Sequence, residues 1–410
     1  MSVGIEALNA YVGRAYLDVA TLFRARGLDL NRFDNLMMVE KSVNLPCEDS
    51  ISNAVNAAVP LIELLRPDER DSIELVVVGT ESGVDYAKPI STYVHHYLGL
   101  GRNCRSFEVK HACYGGTAAL RTAAGILTAG GNPNAKALVI AADSAGTVDR
   151  NTYWEPSQGA GAVAMLVGFE PRVLELDPGA AGFYSHEVMD TARPRADFEV
   201  GDSDLSLMSY LEGLQNSFTM YRQRVTGVDL MTTFDELVFH SPFAGMVKGA
   251  HRTLLRRVAG LADAAIAADF ELRLANSLRY CSKVGNTYSA ALYFGLCSLI
   301  DHLDSPDARR VGLFSYGSGC ASEFYSGVLA ENARETLAKL EVGRSIAERV
   351  PLGMTEYEVV SDLSRDRMGG VPEWTFDAGQ YADLYERCLA GRRLLVLDRV
   401  SNYHRTYRWS

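Results

Sequence analysis

Four short apolar runs set the frame within which this chain can fold: IELVVVGT (73–80), KALVIAAD (136–143), GAVAMLVG (161–168) and ELVFHSPF (236–243). Each has the length of a buried strand, and stretches of helical character lie between them. That alternation predicts an α/β protein. With 410 residues, 47% of them hydrophobic, the chain can build a substantial core as two domains or as one large two-part unit. The pattern breaks after about residue 170, where the polar segment DTARPRADFEVGDSD (190–204) intervenes. The expected halves are therefore 1–170 and 171–410, with no flexible linker. An internal echo supports duplication: the strand, turn and small-residue helix of 107–130 resemble VGNTYSAALYFGLCSLI at 284–300. Likewise ALVIAADSAG (137–146) resembles VGLFSYGSGC (311–320), both apolar strands ending in Ser/Gly turns.

Charge and composition narrow the function. A net charge of −11 disfavours nucleic acid as a partner, because phosphate binding needs an excess of Lys and Arg. No apolar run approaches the roughly 18 residues that would span a bilayer. The N-terminus MSVGIEALNAYVGRAYL lacks a basic region leading into a cleavable apolar segment, so the expected location is the cytoplasm, with no membrane partner. The seven cysteines are odd in number, scattered and never arranged as CxxC, which points to neither a disulfide framework nor a zinc site.

One of them stands apart. In FEVKHACYGGTAAL (107–120), Cys113 lies between a strand-like run and a helix whose first turns carry almost no side-chain bulk. The N–H groups and dipole at a helix start favour negative charge, so the thiol is expected to ionise more easily than usual and to act as a nucleophile. Gly115 and Gly116 are expected to let a substrate approach the backbone. In VVVGTESGVD, Glu81 follows a buried strand into a turn, where desolvation would raise its pKa toward that of a general base; the competing reading is an exposed loop carboxylate. In LVFHSPF, His240 ends a strand ahead of a Ser-Pro turn, and His111, two residues before the cysteine, is its competitor. The helix that follows His240 carries Lys248, Arg252, Arg256 and Arg257, either as a solvated face or as a cationic rim for a phosphate-bearing substrate. Asn286, in the turn KVGNTYSAALY, is a candidate donor to a substrate carbonyl. The backbone N–H near Ser318, in FSYGSG, is a candidate partner of the Cys113 N–H in an oxyanion hole.

Taken together and in this order, GTESGVD, ACYGGTAAL, FHSPF, GNTYSAALY and FSYGSG resemble the 3-hydroxy-3-methylglutaryl (HMG) synthase family of the thiolase superfamily. The order Cys, His, Asn is shared with β-ketoacyl synthase III enzymes, whereas the Glu of GTES distinguishes the HMG synthases. The resemblance implies a thiolase-like duplicated αβαβα five-layer fold, a homodimer, and no cofactor or metal beyond substrates carried on phosphopantetheine. It also implies that Cys113 is acetylated, that Glu81 removes a proton from the acetyl methyl, and that His240 orients the ketone the enolate attacks. Asn286, Ser318 and Tyr288 would help bind acyl groups, with Lys248 near the pantetheine-phosphate entrance.

Within that family, residues 186–214, FAGMVKGAHR (243–252) and the ending LLVLDRVSNYHRTYRWS (394–410) look most like the synthases of polyketide β-branching cassettes. That branch takes acetyl from a donor acyl carrier protein and the β-ketone from an acceptor carrier protein. Carrier proteins are acidic, so Lys248, Arg252, Arg256 and Arg257 become candidate docking residues, with Arg102 and Arg105 a poorer choice. The alternatives are a mevalonate-pathway synthase using acetyl-CoA and acetoacetyl-CoA, and a non-catalytic carrier-protein scaffold. A scaffold would be expected to have lost Cys113 or Glu81, and a decarboxylative ketosynthase has no use for Glu81.

Overall fold

The computed structural model describes residues 2–144, 150–304 and 307–410. In the first half, strand β1 (Gly4–Tyr11) leads to helix α1 (Ser50–Glu63), strands β2 (Ile73–Gly79) and β3 (Arg105–Val109), helix α2 (Gly115–Gly130), and strands β4 (Lys136–Asp143) and β5 (Gly161–Gly168). The second half contributes β6 (Leu174–Ser185), a hairpin of β7 (Thr191–Arg195) and β8 (Phe198–Gly201), and helix α3 (Ser203–Arg224). It continues with β9 (Glu236–Phe239), α4 (Ala244–Ala259), α5 (Ala291–Asp301), β10 (Arg309–Gly317) and β11 (Ala321–Leu329).

Nine strands line up in the order β9-β10-β11-β6-β1-β5-β4-β2-β3. The pairing shows the duplication. In the first half β2 runs parallel to β4, which is antiparallel to β5, which is antiparallel to β1. The second half repeats this with β9, β10, β11 and β6. Within the sheet the two halves are joined where β1 pairs with β6, Gly4 with Glu175 and Ile5 with Leu174. The echo between 107–130 and 284–300 holds for the helices α2 and α5 but not for the strand, because Cys281–Val284, ahead of α5, is a helical turn. Residues 145 and 146 of the second echo lie outside the described residues.

Alternation of side chains along each strand explains the layers. Leu138, Ile140, Ala162, Ala164 and Leu166 pack with Ile51, Ala54, Val55 and Leu61 of α1 on one face. Val77, Val139, Ala141, Val163 and Met165 join Ala119, Leu120 and Ala123 of α2 on the other. With both faces covered, the strands read as continuous apolar runs. In the middle layer Thr117 of α2 lies 3.0 Å from the Tyr293 hydroxyl of α5, which lies 3.3 Å from Tyr325 of β11. On the far side α3 packs its Phe218 and Tyr221 on Phe324 of β11 at 5.0 and 5.3 Å. The result is the five-layer αβαβα arrangement of a thiolase-like fold. Among the described residues, no helix is long and apolar enough to cross a membrane.

The run at 236–243 forms a strand only to Phe239, since Pro242 cannot supply a ladder N–H. His240 continues the pairing by one bond, its N–H donating to Phe314 O at 2.8 Å.

The end of β2 fixes how closely the layers approach. A side chain on Gly79 would collide with the Gly115 carbonyl and come within 2.6 Å of Gly116 N. Gly115 in turn faces Val109 O and Thr80 N, and a Cβ on Gly116 would lie 2.5 Å from Ser289 O. These glycines therefore make room for protein backbone, not for substrate as the sequence suggests. Gly79→Ala must push β2 off α2, and chemical denaturation is expected to show a loss of about 1–3 kcal/mol.

Candidate active site

Parallel strands expose their useful ends at the carboxyl side, and here four of them, β2, β4, β9 and β10, bring the chemistry-bearing turns together. The junction is Asp143, the last residue of β4 and fully buried. Its Oδ1 accepts from Thr80 Oγ1 at 2.9 Å, Glu81 N at 2.9 Å, Ser82 N at 3.0 Å and Ser82 Oγ at 2.6 Å. Its Oδ2 accepts from Ser289 N at 3.0 Å and Ser289 Oγ at 2.5 Å. One carboxylate thus clamps the Glu81 turn of the first half to the Asn286–Ser289 segment of the second.

The clamp sets Glu81 beside Cys113, whose thiol donates to Glu81 Oε2 at 3.5 Å. Burial raises the Glu81 carboxyl from an ordinary 4.5 to about 8; Arg193 opposes the shift, while Asp143 and Glu199 add to it. Only 14% of this side chain is exposed, so it is not a solvated loop carboxylate. Cys113 departs from expectation. Burial first, then the negative charges of Glu81 and Asp143, pushes its thiol well above the usual range. The half-charge at the start of α2 is outweighed, and the sulfur keeps its proton at rest. It becomes nucleophilic by giving that proton up as it reacts.

His240 is 1% exposed and its Nδ1 has no hydrogen-bond partner. Burial lowers its pKa to about 3, so the imidazole is neutral. The Tyr210 hydroxyl holds its carbonyl at 2.7 Å. Asn286 accepts from Tyr288 N on Oδ1 at 2.9 Å, which makes its amide nitrogen the donor end. The Tyr288 hydroxyl is buried without a partner. Ser318 sits between Gly317, where a Cβ would lie 2.6 Å from both His111 O and Tyr114 N, and Gly319, whose N–H donates to Asp190 Oδ1 at 2.9 Å. The Ser318 turn and the Cys113 turn are therefore in contact. His111 lies in the same crevice, its Nε2 buried without a partner and its pKa lowered by burial.

The basic residues of α4 divide. Lys248 and Arg252 are exposed, with Lys248 Nζ 4.9 Å above the Phe270 ring. Arg256 is paired with Asp263 and Arg257 with Gln215. Arg105 starts β3 at the end opposite Val109 and the Cys113 turn, next to Glu74 at 4.0 Å, which removes it and its neighbour Arg102 from the site.

Several residues escape sequence reasoning. Asp143 carries a faint signal as an acid closing the apolar run 137–142. Arg193, Asp190 and Glu199 sit in the polar segment that reads as an interruption. It is the β7–β8 hairpin, and it delivers Arg193 Nη2 to 3.3 Å from Glu81 Oε1. A cleft of about 930 Å³ opens beside these groups, walled by Glu81, Asp85, Arg193, Arg195 and Arg367 among others.

Comparison with known proteins agrees with this geometry. Residues 1–172 match the family model described as hydroxymethylglutaryl-coenzyme A synthase N terminal, and 251–368 match the corresponding C-terminal model. The chain is 46% identical to a Bacillus subtilis protein, polyketide biosynthesis 3-hydroxy-3-methylglutaryl-ACP synthase PksG, over 100% of this chain and 99% of that one. It is 34% identical to the hydroxymethylglutaryl-CoA synthase of Enterococcus faecalis, over 88% of this chain and 91% of the other. Among solved structures, the HMG synthase of the curacin biosynthetic pathway, in complex with acetyl donor-ACP, superimposes with a TM-score of 0.97 at 46% identity over 100% of both chains.

The raised Glu81 pKa carries a cost in stability. Below about pH 4.5 the carboxyl is protonated both folded and unfolded; between there and about 8 only the unfolded chain gives up its proton, so stability falls as pH rises. Glu81→Gln removes that loss. Its melting temperature is expected to exceed that of the wild type at pH 8, and the gap to close as the pH approaches 4.5.

Proposed function

The chain belongs to the hydroxymethylglutaryl-coenzyme A synthase family, and we propose that it adds an acetyl-derived carboxymethyl group to the β-ketone of a carrier-protein-bound polyketide intermediate. The observation that carries the reading is the Cys113–Glu81 pair, a thiol and a high-pKa carboxyl 3.5 Å apart in a water-poor site. The 46% and 47% identity to PksG and the curacin synthase supports the carrier-protein branch over the coenzyme A branch, where identity is 34% to the Enterococcus faecalis enzyme and 27% to that of Haloferax volcanii.

In the proposed sequence the Cys113 sulfur takes the acetyl group from a donor carrier protein, and the departing pantetheine sulfur takes up the proton Cys113 loses. Acetylated, the sulfur no longer donates to Glu81. The ionised carboxylate then faces the acetyl methyl, and a base of pKa about 8 is matched to removing its proton near neutral pH. The enolate oxygen would be received by the N–H groups of Cys113 and Ser318. The enolate carbon attacks the ketone of the acceptor, which neutral His240 orients, with Asn286 and Tyr288 lining its acyl group. Glu81 returns its proton to the new alkoxide. Water cleaves the Cys113 thioester, leaving a free carboxylate on the product and the thiol restored. Every proton and electron pair is supplied by substrates, water and these side chains, so the scheme calls for no cofactor.

Lys248 and Arg252 supply exposed positive charge one and two turns into the helix that follows His240, and they are the residues assigned to an acidic carrier protein. Arg256 and Arg257 would contribute only after leaving Asp263 and Gln215. A homodimer and a cytoplasmic location belong to the same proposal. Of the two edges of the sheet, β9 is wholly buried while β3 is not, so β3 is the edge open to a second copy.

Intact-mass measurement after incubation with acetyl-carrier protein is expected to show an acetyl adduct on the wild type and none on Cys113→Ala. Glu81→Ala should acquire the adduct but form no condensation product; a variant that stays unacetylated would reverse the assigned roles. Equal turnover with acetyl-CoA would overturn the carrier-protein assignment. Lys248→Glu combined with Arg252→Glu is expected to raise KM for the acetyl-carrier donor at least about tenfold at low salt, with the difference shrinking as salt screens the wild type.

A further inference from the structure

Glu81 has two oxygens in different company. Oε2 faces the Cys113 sulfur, and Oε1 faces Arg193 Nη2. The same Nη2 lies 2.9 Å from Glu199 Oε2, so Glu199 anchors the nitrogen that meets Glu81. Arg193 is only 10% exposed, its Cζ stands 5.2 Å over the Tyr288 ring, and its Nε is buried without a partner. The backbone is shaped to deliver it. On the hairpin, Arg195 pairs with Phe198 and Ala192 with Val200, so three steps on β7 oppose two on β8. The extra residue falls at Arg193–Pro194, a bulge of the kind that re-aims a side chain, and Pro194 has no N–H to lose there.

We propose that Arg193, anchored by Glu199, is a positioning residue for the condensation: it pins one Glu81 oxygen so that the other stays aimed at the acyl group on Cys113. The inference rests on the reading of Glu81 as the base. A carboxyl group turns easily about its last bond, and a site that needs one particular oxygen at the methyl gains from a fixed partner on the other. The charged groups facing Glu81 are Arg193 and Glu199 from the hairpin, Asp143 from β4 and the Cys113 thiol from the start of α2. Arg193 is the sole positive charge among them. Its loss leaves Glu81 among negative neighbours and harder to ionise. Loss of the Glu199 charge acts the other way, removing a repulsion and leaving Arg193 to Glu81 alone.

The test uses enzyme acetylated beforehand on Cys113 and follows single-turnover condensation with a β-ketoacyl-carrier protein across pH. For Arg193→Ala the ascending limb is expected to move up by about one pH unit, a loss of about tenfold at pH values below it. Arg193→Lys should return the limb toward its wild-type position, because the positive charge is kept, but not the full rate, since a flexible ammonium lacks the rigid guanidinium plane that stands over the Tyr288 ring. Glu199→Gln, which preserves shape, should move the limb down. Limbs that superimpose on the wild type, or that move in the same direction for Arg193→Ala and Glu199→Gln, overturn the proposal, because a merely structural role would lower the rate without opposing shifts. If Arg193→Ala fails to fold, the downward shift in Glu199→Gln decides alone. Acetylated wild type that condenses at no pH would instead sink the assignment of Glu81, and this inference with it.

Discussion

A single buried carboxylate organises the catalytic centre. Asp143 collects six donors from two segments that are more than 200 residues apart in the chain, four on one oxygen and two on the other. An unpaired buried charge would be severely unfavourable, and here each lone pair is matched, so the acid holds the turns together instead of disrupting the core. The Glu81 turn, the first turn of α2 and the Asn286–Ser289 segment can be closely packed because Gly79 and Gly116 have no side chains at the points of contact. Nucleophile and base are thus rigidly related to each other through backbone, with little left to loop motion.

The duplication supplies the frame and its asymmetry supplies the chemistry. Both halves carry the same strand pairing and the same central helix, and each contributes turns at the carboxyl ends of its parallel strands. Only the second half inserts the β7–β8 hairpin before its outer helix, and that hairpin brings Asp190, Arg193 and Glu199 to the site. Asp190, fully buried, receives the Tyr316 hydroxyl at 2.7 Å and the Gly319 N–H, holding the Ser318 turn much as Asp143 holds the Glu81 turn. Two acids, one per half, fix the two turns that flank Cys113.

Much of this is readable in the chain before folding is considered. The strands at 136–143 and 161–168 end where their apolar runs end, because full burial on both faces leaves no ambiguity of pattern. Cys113, Glu81, Asn286 and Ser318 announce themselves through Gly-rich turns at strand ends. His240 does so through Pro242, which stops the strand. Arg193 does not, since an arginine in a polar segment looks the same whether solvated or buried, and only the tertiary contact with Glu81 distinguishes the two. The protonated state of the Cys113 thiol is hidden in the sequence for a related reason. A helix start is local and visible in sequence, but the burial that outweighs it is set by tertiary packing, and the carboxyl 3.5 Å away that adds to it comes from a different strand.

That protonated sulfur has a consequence for the life of the enzyme. Peroxide and adventitious electrophiles attack thiolates far faster than thiols, and cysteines poised as anions are the ones that oxidise or alkylate while idle. Cys113, half-buried and facing an acid that discourages ionisation, should resist such attack between encounters with its donor. Reactivity is conferred by the arriving thioester, so the enzyme rests in a chemically quiet state.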